Sequence, residues 1–239
     1  MQLFYSPDIS PAGFCTLDAE ESHHAVRVMR MRDGDEINVT DGRGNLYHCK
    51  IVQADSGQCL VETVSQLSSF NFPLSSLHLA VAPTKNPSRM EWLVEKAVEV
   101  GVSEITLLQC DHSERTFLKT DRLQKLAIGA MKQSLHLTLP TINPAVKLSD
   151  WLPTINNTQP TQKLIAHCEA DKPRTPIAQA LMPGNNALVL IGPEGDFSEQ
   201  EIALALKLGF KPVSLGPSRL RTETAALYAT MAFNLINDR

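Results

Sequence analysis

The sequence predicts an α/β protein of two domains, in which a small antiparallel β-barrel precedes a larger domain built on a parallel sheet. Short β-type runs broken by Gly and Asp fill the chain up to about residue 64. From Leu77 onward, strand-like and helix-like segments alternate, which is typical of a parallel α/β sheet. A Ser-rich stretch with Pro73 separates the two patterns. We therefore expect domains at residues 1–72 and 73–239.

Composition and charge exclude several classes of protein. The 239 residues are 43% hydrophobic and 20% charged, with a formal net charge of −4, which is ordinary for a globular protein and excludes binding of nucleic acid by bulk charge. No apolar run approaches the ~18 residues that cross a membrane, and the first residues lack a signal-peptide pattern. We expect a cytoplasmic protein without membrane contact. The five cysteines include no C-x-x-C pair, so we expect neither a disulfide framework nor a metal site.

Three runs in the first domain alternate apolar and polar residues as strands do. They lie at residues 36–40, 45–52 and 58–64. Asp33-Gly34 and Asp41-Gly42 are typical hairpin turns and favour antiparallel pairing.

Five strand-like runs and several helices are expected in the second domain. The runs are LHLAV, EITLLQ, KLIAH, ALVLI and PVSL. Ser88 with Glu91, and Ser198 with Glu201, have the spacing of capping boxes that begin helices. Gly101 and Gly209 stand where those two helices should end.

A glycine-bearing loop, Gly192-Pro193-Glu194-Gly195-Asp196, follows the apolar run ALVLI. Ligands of open α/β sheets bind at the carboxyl ends of strands, so this loop is placed to contact one. It matches neither the Walker A motif nor the G-x-G-x-x-G fingerprint, which argues against a triphosphate or dinucleotide. The loop is still suited to form hydrogen bonds with a nucleoside. The alternative interpretation is an ordinary tight turn from a strand to a helix.

A second polar loop runs from Leu215 to Thr224 into a predicted helix. Helix capping by Thr222 and a favourable dipole interaction of Glu223 account for two of its residues. They do not account for Arg219 and Arg221, because cations near a helix N-terminus are disfavoured unless an anion lies nearby. A phosphate group would supply that charge.

Together these segments resemble the bacterial ribosomal RNA small subunit methyltransferase E family of the SPOUT superfamily. The resemblance covers nearly the whole chain. It is carried by IGPEGD at residues 191–196, the loop ending in LRTETA at residues 220–225, the segment 85–101, Gln133-Ser134 before Pro140, and the His23-His24 segment up to Arg32.

The resemblance implies a SPOUT-type trefoil-knotted parallel sheet with a smaller N-terminal PUA-like β-barrel. It implies methylation of N3 of a specific uridine in 16S ribosomal RNA with S-adenosyl-L-methionine as donor. It also implies a homodimer, and no metal is needed for this reaction. Because few basic residues are available for RNA, we expect an assembled small-subunit particle as the substrate.

We expect three groups of site residues, of which the resemblance implies the cofactor-binding group, the chemistry of the reaction suggests the catalytic group and the local basic charge suggests the RNA-binding group. Arg221 and Glu223 are the catalytic candidates. The cofactor-binding candidates are Ala166, His167, Gly192, Pro193, Glu194, Gly195, Leu215, Gly216, Ser218, Leu220 and Arg221. The RNA-binding candidates are His23, His24, Arg27, Arg30, Arg32, Lys85, Arg89 and Arg219.

The chain departs from the family's usual pattern at Asp196, where a second Gly is frequent, and at Lys132 and His136. Two alternative functions remain open. One is a non-catalytic RNA-binding factor in ribosome assembly, and the other is a SPOUT enzyme acting on transfer RNA. The basic cluster from His23 to Arg32 could also be an ordinary solvated surface.

Overall fold

The computed structural model describes residues 2–69, 75–115, 118–155, 161–169 and 173–237. The chain divides into two compact units, one comprising Met1–Phe72 with Ile128–Leu139 and the other Pro73–Ala127 with Pro140–Arg239. The predicted boundary after residue 72 stays a prediction, and Ile128–Leu139, which the sequence analysis assigned to the second domain, groups with the first unit.

The first unit is built on a five-stranded sheet. Its elements are β1 (Leu3–Tyr5), β2 (Gly13–Thr16), α1 (Ala19–His23), a π-helix (His24–Val28), β3 (Glu36–Thr40), β4 (Asn45–Gln53) and β5 (Leu60–Ser69). The strand order is β1-β3-β4-β5-β2, antiparallel except for the pair β1 and β3. Tyr47, Cys49 and Ile51 alternate along β4 and are buried, as the pleat requires. The three predicted strands are confirmed as β3, β4 and β5.

Leu137 explains why residues 128–139 belong to the first unit. Its side chain packs with Leu3 and Leu46 in a small buried cluster. Its carbonyl oxygen accepts hydrogen bonds from the Gly44 backbone N–H, at 2.9 Å, and from Thr40 Oγ1, at 3.1 Å. These contacts join residues far apart in the sequence, so local patterns gave no sign of them.

Lys132, one of the departures from the family's pattern, forms an ion pair with the buried carboxylate of Glu21. Burial raises the pKa of Glu21, and the ammonium of Lys132 opposes that shift. Removing one partner of such a pair leaves a charge without compensation in a site shielded from water. The pair therefore belongs to the structural framework of the first unit.

The second unit is built on seven parallel strands. Its elements are β6 (Leu77–Val81), α2 (Pro87–Val100), β7 (Glu104–Gln109), α3 (Thr120–Gln133, whose last residues group with the first unit), β8 (Thr141–Lys147), α4 (Leu148–Trp151), a 3-10 helix (Leu152–Thr154), β9 (Thr161–Ala166), β10 (Thr175–Pro176), α5 (Ile177–Ala180), β11 (Asn186–Ile191), α6 (Glu199–Lys207), β12 (Lys211–Ser214) and α7 (Thr222–Ile236). The strand order is β10-β12-β9-β11-β6-β7-β8, and every neighbouring pair is parallel. The predicted parallel sheet is confirmed.

The ends of the helices test the predicted caps. The capping box at Ser198 and Glu201 is confirmed at the start of α6. The one predicted at Ser88 is wrong, because Asn86 is the N-cap of α2 and its side chain accepts from the Ser88 N–H. Gly101 ends α2 in the left-handed region at φ 107°. In the described ranges, no helix has both the length and the apolar character to cross a membrane.

A polar network links β6, β7 and β8. His78 Nε2 lies 2.7 Å from Thr106 Oγ1, and Asn143 Nδ2 donates to Thr106 Oγ1 at 2.9 Å and to Glu104 Oε1 at 2.6 Å. Burial lowers the pKa of His78, and the nearby Glu104 carboxylate partly opposes this effect. The network therefore favours a neutral imidazole.

We expect the free energy of unfolding of the His78→Gln variant to depend less on pH than that of wild type. Because the folded-state pKa of His78 is lowered, its contribution is present above the ordinary value of 6.5 and is lost as the pH falls through the lowered value. Urea unfolding of wild type and variant from about pH 7 to about pH 5 measures this. If the free energy of unfolding falls equally in both proteins as the pH is lowered, His78 does not cause the loss of stability.

Candidate active site

Strands β9, β11 and β12 end at the same edge of the sheet, and the loops after them enclose a cavity of about 330 Å³. Ala166, Ile191 and Val213 lie in register on the three strands and line the cavity. Ten of the eleven residues predicted to bind the cofactor line it as well. They are Ala166, His167, Gly192, Pro193, Glu194, Leu215, Gly216, Ser218, Leu220 and Arg221.

Gly192 begins the loop after β11 and packs closely against Phe197. A Cβ atom there would lie 3.1 Å from two ring carbons of Phe197, so a side chain at this position would require the ring to shift. Its carbonyl oxygen accepts a hydrogen bond from Thr222 Oγ1 at 3.1 Å. This bond fixes the start of α7 against the loop.

Gly195 is the predicted cofactor residue that does not line the cavity. A Cβ atom there would lie 3.0 Å from Cβ of His112. His112 Nδ1 lies 3.1 Å from the carbonyl oxygens of both Gly195 and Asp196. Because carbonyls only accept, the ring nitrogen is the donor. In the structure, Gly195 provides room for His112.

Asp196 lies in the left-handed region at φ 66°. Glycine adopts this region without strain, which accounts for the Gly that is frequent at this position in the family. Its Oδ2 accepts from the Cys168 N–H at 2.7 Å, and its Oδ1 accepts from the Phe197 N–H at 2.9 Å. The side chain thus joins the loop after β11 to the loop after β9.

The loop between β12 and α7 carries two exposed arginines, Arg219 and Arg221, into the cavity wall. Capping of α7 differs from the expectation. Arg221 is the N-cap and makes no side-chain capping bond, whereas the Thr222 hydroxyl bonds to Gly192. The start of α7 therefore has no side-chain capping bond from its N-cap residue.

Glu223 follows in the first turn of α7 and is only 7% exposed. Its Oε1 lies 3.8 Å from Nε of Arg89 on α2. Its Oε2 is buried and has no hydrogen-bond partner among the described residues. Glu223 does not line the cavity, whereas Arg221 does.

Comparison with known proteins gives the family. The model of the RNA methyltransferase domain matches residues 71–234, and that of the RNA methyltransferase PUA domain matches residues 17–64. Ribosomal RNA small subunit methyltransferase E of Aquifex aeolicus is 30% identical over 231 residues, which is 95% of this chain and 96% of that protein. The chain belongs to the ribosomal RNA small subunit methyltransferase E family.

Solved structures agree with this membership. A crystal structure of a probable rRNA-methyltransferase from Porphyromonas gingivalis is 40% identical, with a TM-score of 0.91 over 100% of this chain and 99% of that one. A family member from Neisseria gonorrhoeae, bound to S-adenosyl methionine, is 26% identical, with a TM-score of 0.83 over 99% and 98% of the two chains. The predicted α/β fold, with a parallel sheet and a PUA-like N-terminal domain, is confirmed.

Two RNA-binding candidates of the methyltransferase unit are already paired with acids. Lys85 Nζ lies 2.7 Å from Glu114 Oε2, with both side chains exposed. Arg89 faces Glu223, as described above. The third candidate, Arg219, lines the cavity.

The other RNA-binding candidates lie in the first unit. His23 ends α1, and His24 begins the π-helix half-buried, with its ring centroid 5.7 Å from that of Phe4. Burial lowers the pKa of His24, with smaller contributions from the charges of Lys132 and His23, so it is poorly suited to contact a phosphate as a cation. The remaining candidates are exposed. They are Arg27, Arg30 and Arg32.

Sequence reasoning missed Arg174. It lines the cavity, and its Nη1 donates to the His167 carbonyl oxygen at 2.5 Å. A basic residue in a loop has no local signature, and only the path of the chain after β9 brings it to the site. Cys168 is exposed and also lines the cavity.

We expect Gly192→Ala to destabilise the protein by about 1–3 kcal/mol, the usual cost of overpacking. The new methyl group would press on the Phe197 ring. Gly129→Ala in α3 is the control, since a Cβ there meets nothing within 4 Å and Ala favours the helix by up to about 1 kcal/mol. Denaturant midpoints measure both, and equal shifts would contradict the packing argument.

Proposed function

We propose that this protein methylates N3 of a specific uridine in 16S ribosomal RNA, with S-adenosyl-L-methionine as the methyl donor. The observation that supports this most directly is the cavity at the ends of β9, β11 and β12, in a chain that belongs to a methyltransferase family. The Neisseria gonorrhoeae member's bound S-adenosyl methionine supports the choice of donor. We also propose that α7 passes through the knot typical of SPOUT enzymes, and that the protein acts in the cytoplasm.

The residues of the cavity fit a nucleoside-containing ligand. Its volume of about 330 Å³ lies in the range of small-molecule sites. Ile191, Val213 and Leu220 supply apolar surface for a flat base. A side chain at Gly216, where φ is 105°, would meet only open space, so the backbone there can be approached closely. When bound, the donor supplies a methyl group activated by its positive sulfur.

The uridine must lose the proton of N3 before that nitrogen becomes a good nucleophile. Its N3 then forms a bond to the methyl carbon while the carbon–sulfur bond breaks. Arg221, exposed in the cavity wall, is placed to stabilise the negative charge of the deprotonated base. Glu223, whose buried Oε2 has no hydrogen-bond partner among the described residues, is our candidate to receive the proton, and because it does not line the cavity it would receive the proton indirectly. Arg89 balances the charge of this carboxylate.

The experiment that tests the proposal is mass spectrometry of ribosomal RNA from cells with and without the gene. We expect 3-methyluridine to disappear from one position of 16S RNA and to return when the purified protein methylates small-subunit particles. If methylation is lost only from transfer RNA, the protein is instead a SPOUT enzyme that acts on transfer RNA. Unchanged methylation with defective subunit assembly would favour a non-catalytic factor.

Arg221→Ala and Glu223→Gln should each lower methyl transfer by ~10²-fold or more, the scale for loss of a positioned acid–base or charge-stabilising group. Rates are measured on small-subunit particles at saturating donor. Glu199→Gln is the matched control, because Glu199 is an exposed acid in the first turn of α6. If Glu223→Gln loses stability in proportion to activity, Glu223 is structural only.

We propose that Arg27, Arg30 and Arg32, with Lys85, Arg89 and Arg219, contact phosphates of the RNA. His23 and His24 are the remaining candidates of the first unit, although the lowered pKa of His24 makes it a poor cation. The first 75 residues carry five basic and ten acidic residues, so attraction by bulk charge is absent and focused contacts must hold the RNA. Weak affinity for naked RNA follows, and an assembled particle that presents the uridine in a fixed geometry is the better substrate.

The triple variant Arg27→Ala, Arg30→Ala and Arg32→Ala should bind RNA more weakly. Its log–log salt dependence should be shallower by about 0.7 for each lost contact with single-stranded RNA. Binding of the donor should stay unchanged. Salt titrations with fluorescent RNA measure this, and wild-type binding and methylation of the particle by the variant would show that these arginines are only a solvated surface.

We propose a homodimer formed through α7. Tyr228, Met231 and Leu235 are 45%, 53% and 79% exposed and form one stripe along the helix. The opposite face, with Ala226, Ala229 and Phe233, is buried. An exposed apolar stripe on an otherwise packed helix suits a self-complementary interface.

Replacing both Met231 and Leu235 with Asp should convert the dimer to a monomer, because charges in an apolar interface lose their hydration. Light scattering at micromolar concentration measures the mass. Leu206→Asp is the control, because Leu206 is an exposed apolar residue on α6. A wild-type monomer with full activity would refute the proposed dimer.

A further inference from the structure

The carboxylate of Asp196 connects two walls of the cavity. One oxygen accepts from the Cys168 N–H at 2.7 Å and the other from the Phe197 N–H at 2.9 Å. Cys168 belongs to the loop after β9, and Asp196 to the loop after β11. Asp196 and Cys168 also line the cavity. Both carboxylate oxygens are thus used on backbone donors of the protein itself.

The backbone of Asp196 shows that this contact has a cost. At φ 66° a residue with a side chain is less stable than glycine, although Asp tolerates the region better than most. Glycine would relieve the backbone but would remove both hydrogen bonds. Glycine would suit this backbone conformation better, so the two hydrogen bonds, and not the backbone, account for the Asp196 side chain.

The other side of the same loop is already fixed. His112 holds the carbonyl oxygens of Gly195 and Asp196, and Glu194 Oε1 accepts from the Lys85 N–H at 3.1 Å. With the loop after β11 anchored in this way, Asp196 acts as a fixed acceptor. The loop after β9 is then positioned by its bond to that acceptor.

We propose that Asp196 is a positioning residue, which holds residues 167–169 at the separation from the loop after β11 that the methyl donor requires. This inference rests on the proposed function, since it assumes that the donor binds in this cavity. Asp196 acts through the Cys168 backbone rather than by contact with the reacting atoms. A charge-assisted bond to a backbone N–H is among the stronger hydrogen bonds in proteins, so its loss should be measurable at the site.

Hydrogen exchange at the Cys168 amide in the ligand-free protein tests the contact itself. We expect Asp196→Gly to speed exchange at this amide by about tenfold or more, and Asp196→Asn to have a smaller effect because its amide keeps one acceptor oxygen. The matched control is Asp55→Asn in the first unit. Asp55 also accepts from two backbone N–H groups, those of Gly57 and Gln58, but has no place in the cavity.

Calorimetry with S-adenosylhomocysteine, the demethylated product, tests the consequence for binding. We expect Asp196→Gly to weaken affinity by about tenfold, with thermal stability nearly unchanged because glycine relieves the left-handed backbone. Asp196→Ala should lose both affinity and stability, and Asp55→Asn should bind as wild type does. A merely structural role of Asp196 would instead make affinity and stability fall together in the glycine variant.

The two proposals fail in different ways. If wild type does not bind S-adenosylhomocysteine, the proposed function is wrong, whatever the exchange rates are. If wild type binds and Asp196→Gly binds equally well, with Cys168 exchanging as slowly as in wild type, the positioning role of Asp196 is overturned. Faster exchange with unchanged affinity would also overturn it, because the contact would then have no effect on the donor.

Discussion

Parallel pairing places Ala166, Ile191 and Val213 at one level of the sheet, and the cavity exists because the chain leaves all three strands at that level. The loops that follow are then held by hydrogen bonds between them. Thr222 Oγ1 fixes the start of the loop after β11, and Asp196 joins that loop to the one after β9. The cavity proposed to bind the donor therefore depends first on the register of the sheet.

The distribution of acidic and basic side chains around the cavity suits an anionic substrate. The acids near the cavity are engaged in holding the protein, as with Glu194 on the Lys85 N–H and Asp196 on the Cys168 N–H. The arginines of the β12–α7 loop are instead exposed. Because cations near a helix N-terminus are unfavourable without an anion, their position agrees with the proposal that RNA supplies the missing charge.

If Lys85 and Arg89 contact the RNA as proposed, they must exchange partners when it binds. Lys85 is paired with Glu114, and Arg89 with Glu223. The exposed pair contributes little to stability, so a phosphate can replace Glu114 at small cost. The Arg89 pair involves a buried carboxylate, and releasing it would leave that charge uncompensated. RNA contact at Arg89 would therefore also change the environment of the proposed proton acceptor, which couples substrate binding to the chemistry.

The sequence by itself determined the features that depend on neighbouring residues. Alternation predicted β3 to β5, the Ser198 capping box predicted the start of α6, and glycine loops after buried runs predicted most of the cavity lining. Only the tertiary structure decided the pairings across long separations. It joined Leu137 to the first unit, brought Arg174 to the cavity and aimed Asp196 at Cys168. Local patterns follow from backbone geometry within a few residues, whereas these contacts follow from strand register and packing, which a short stretch of sequence does not encode.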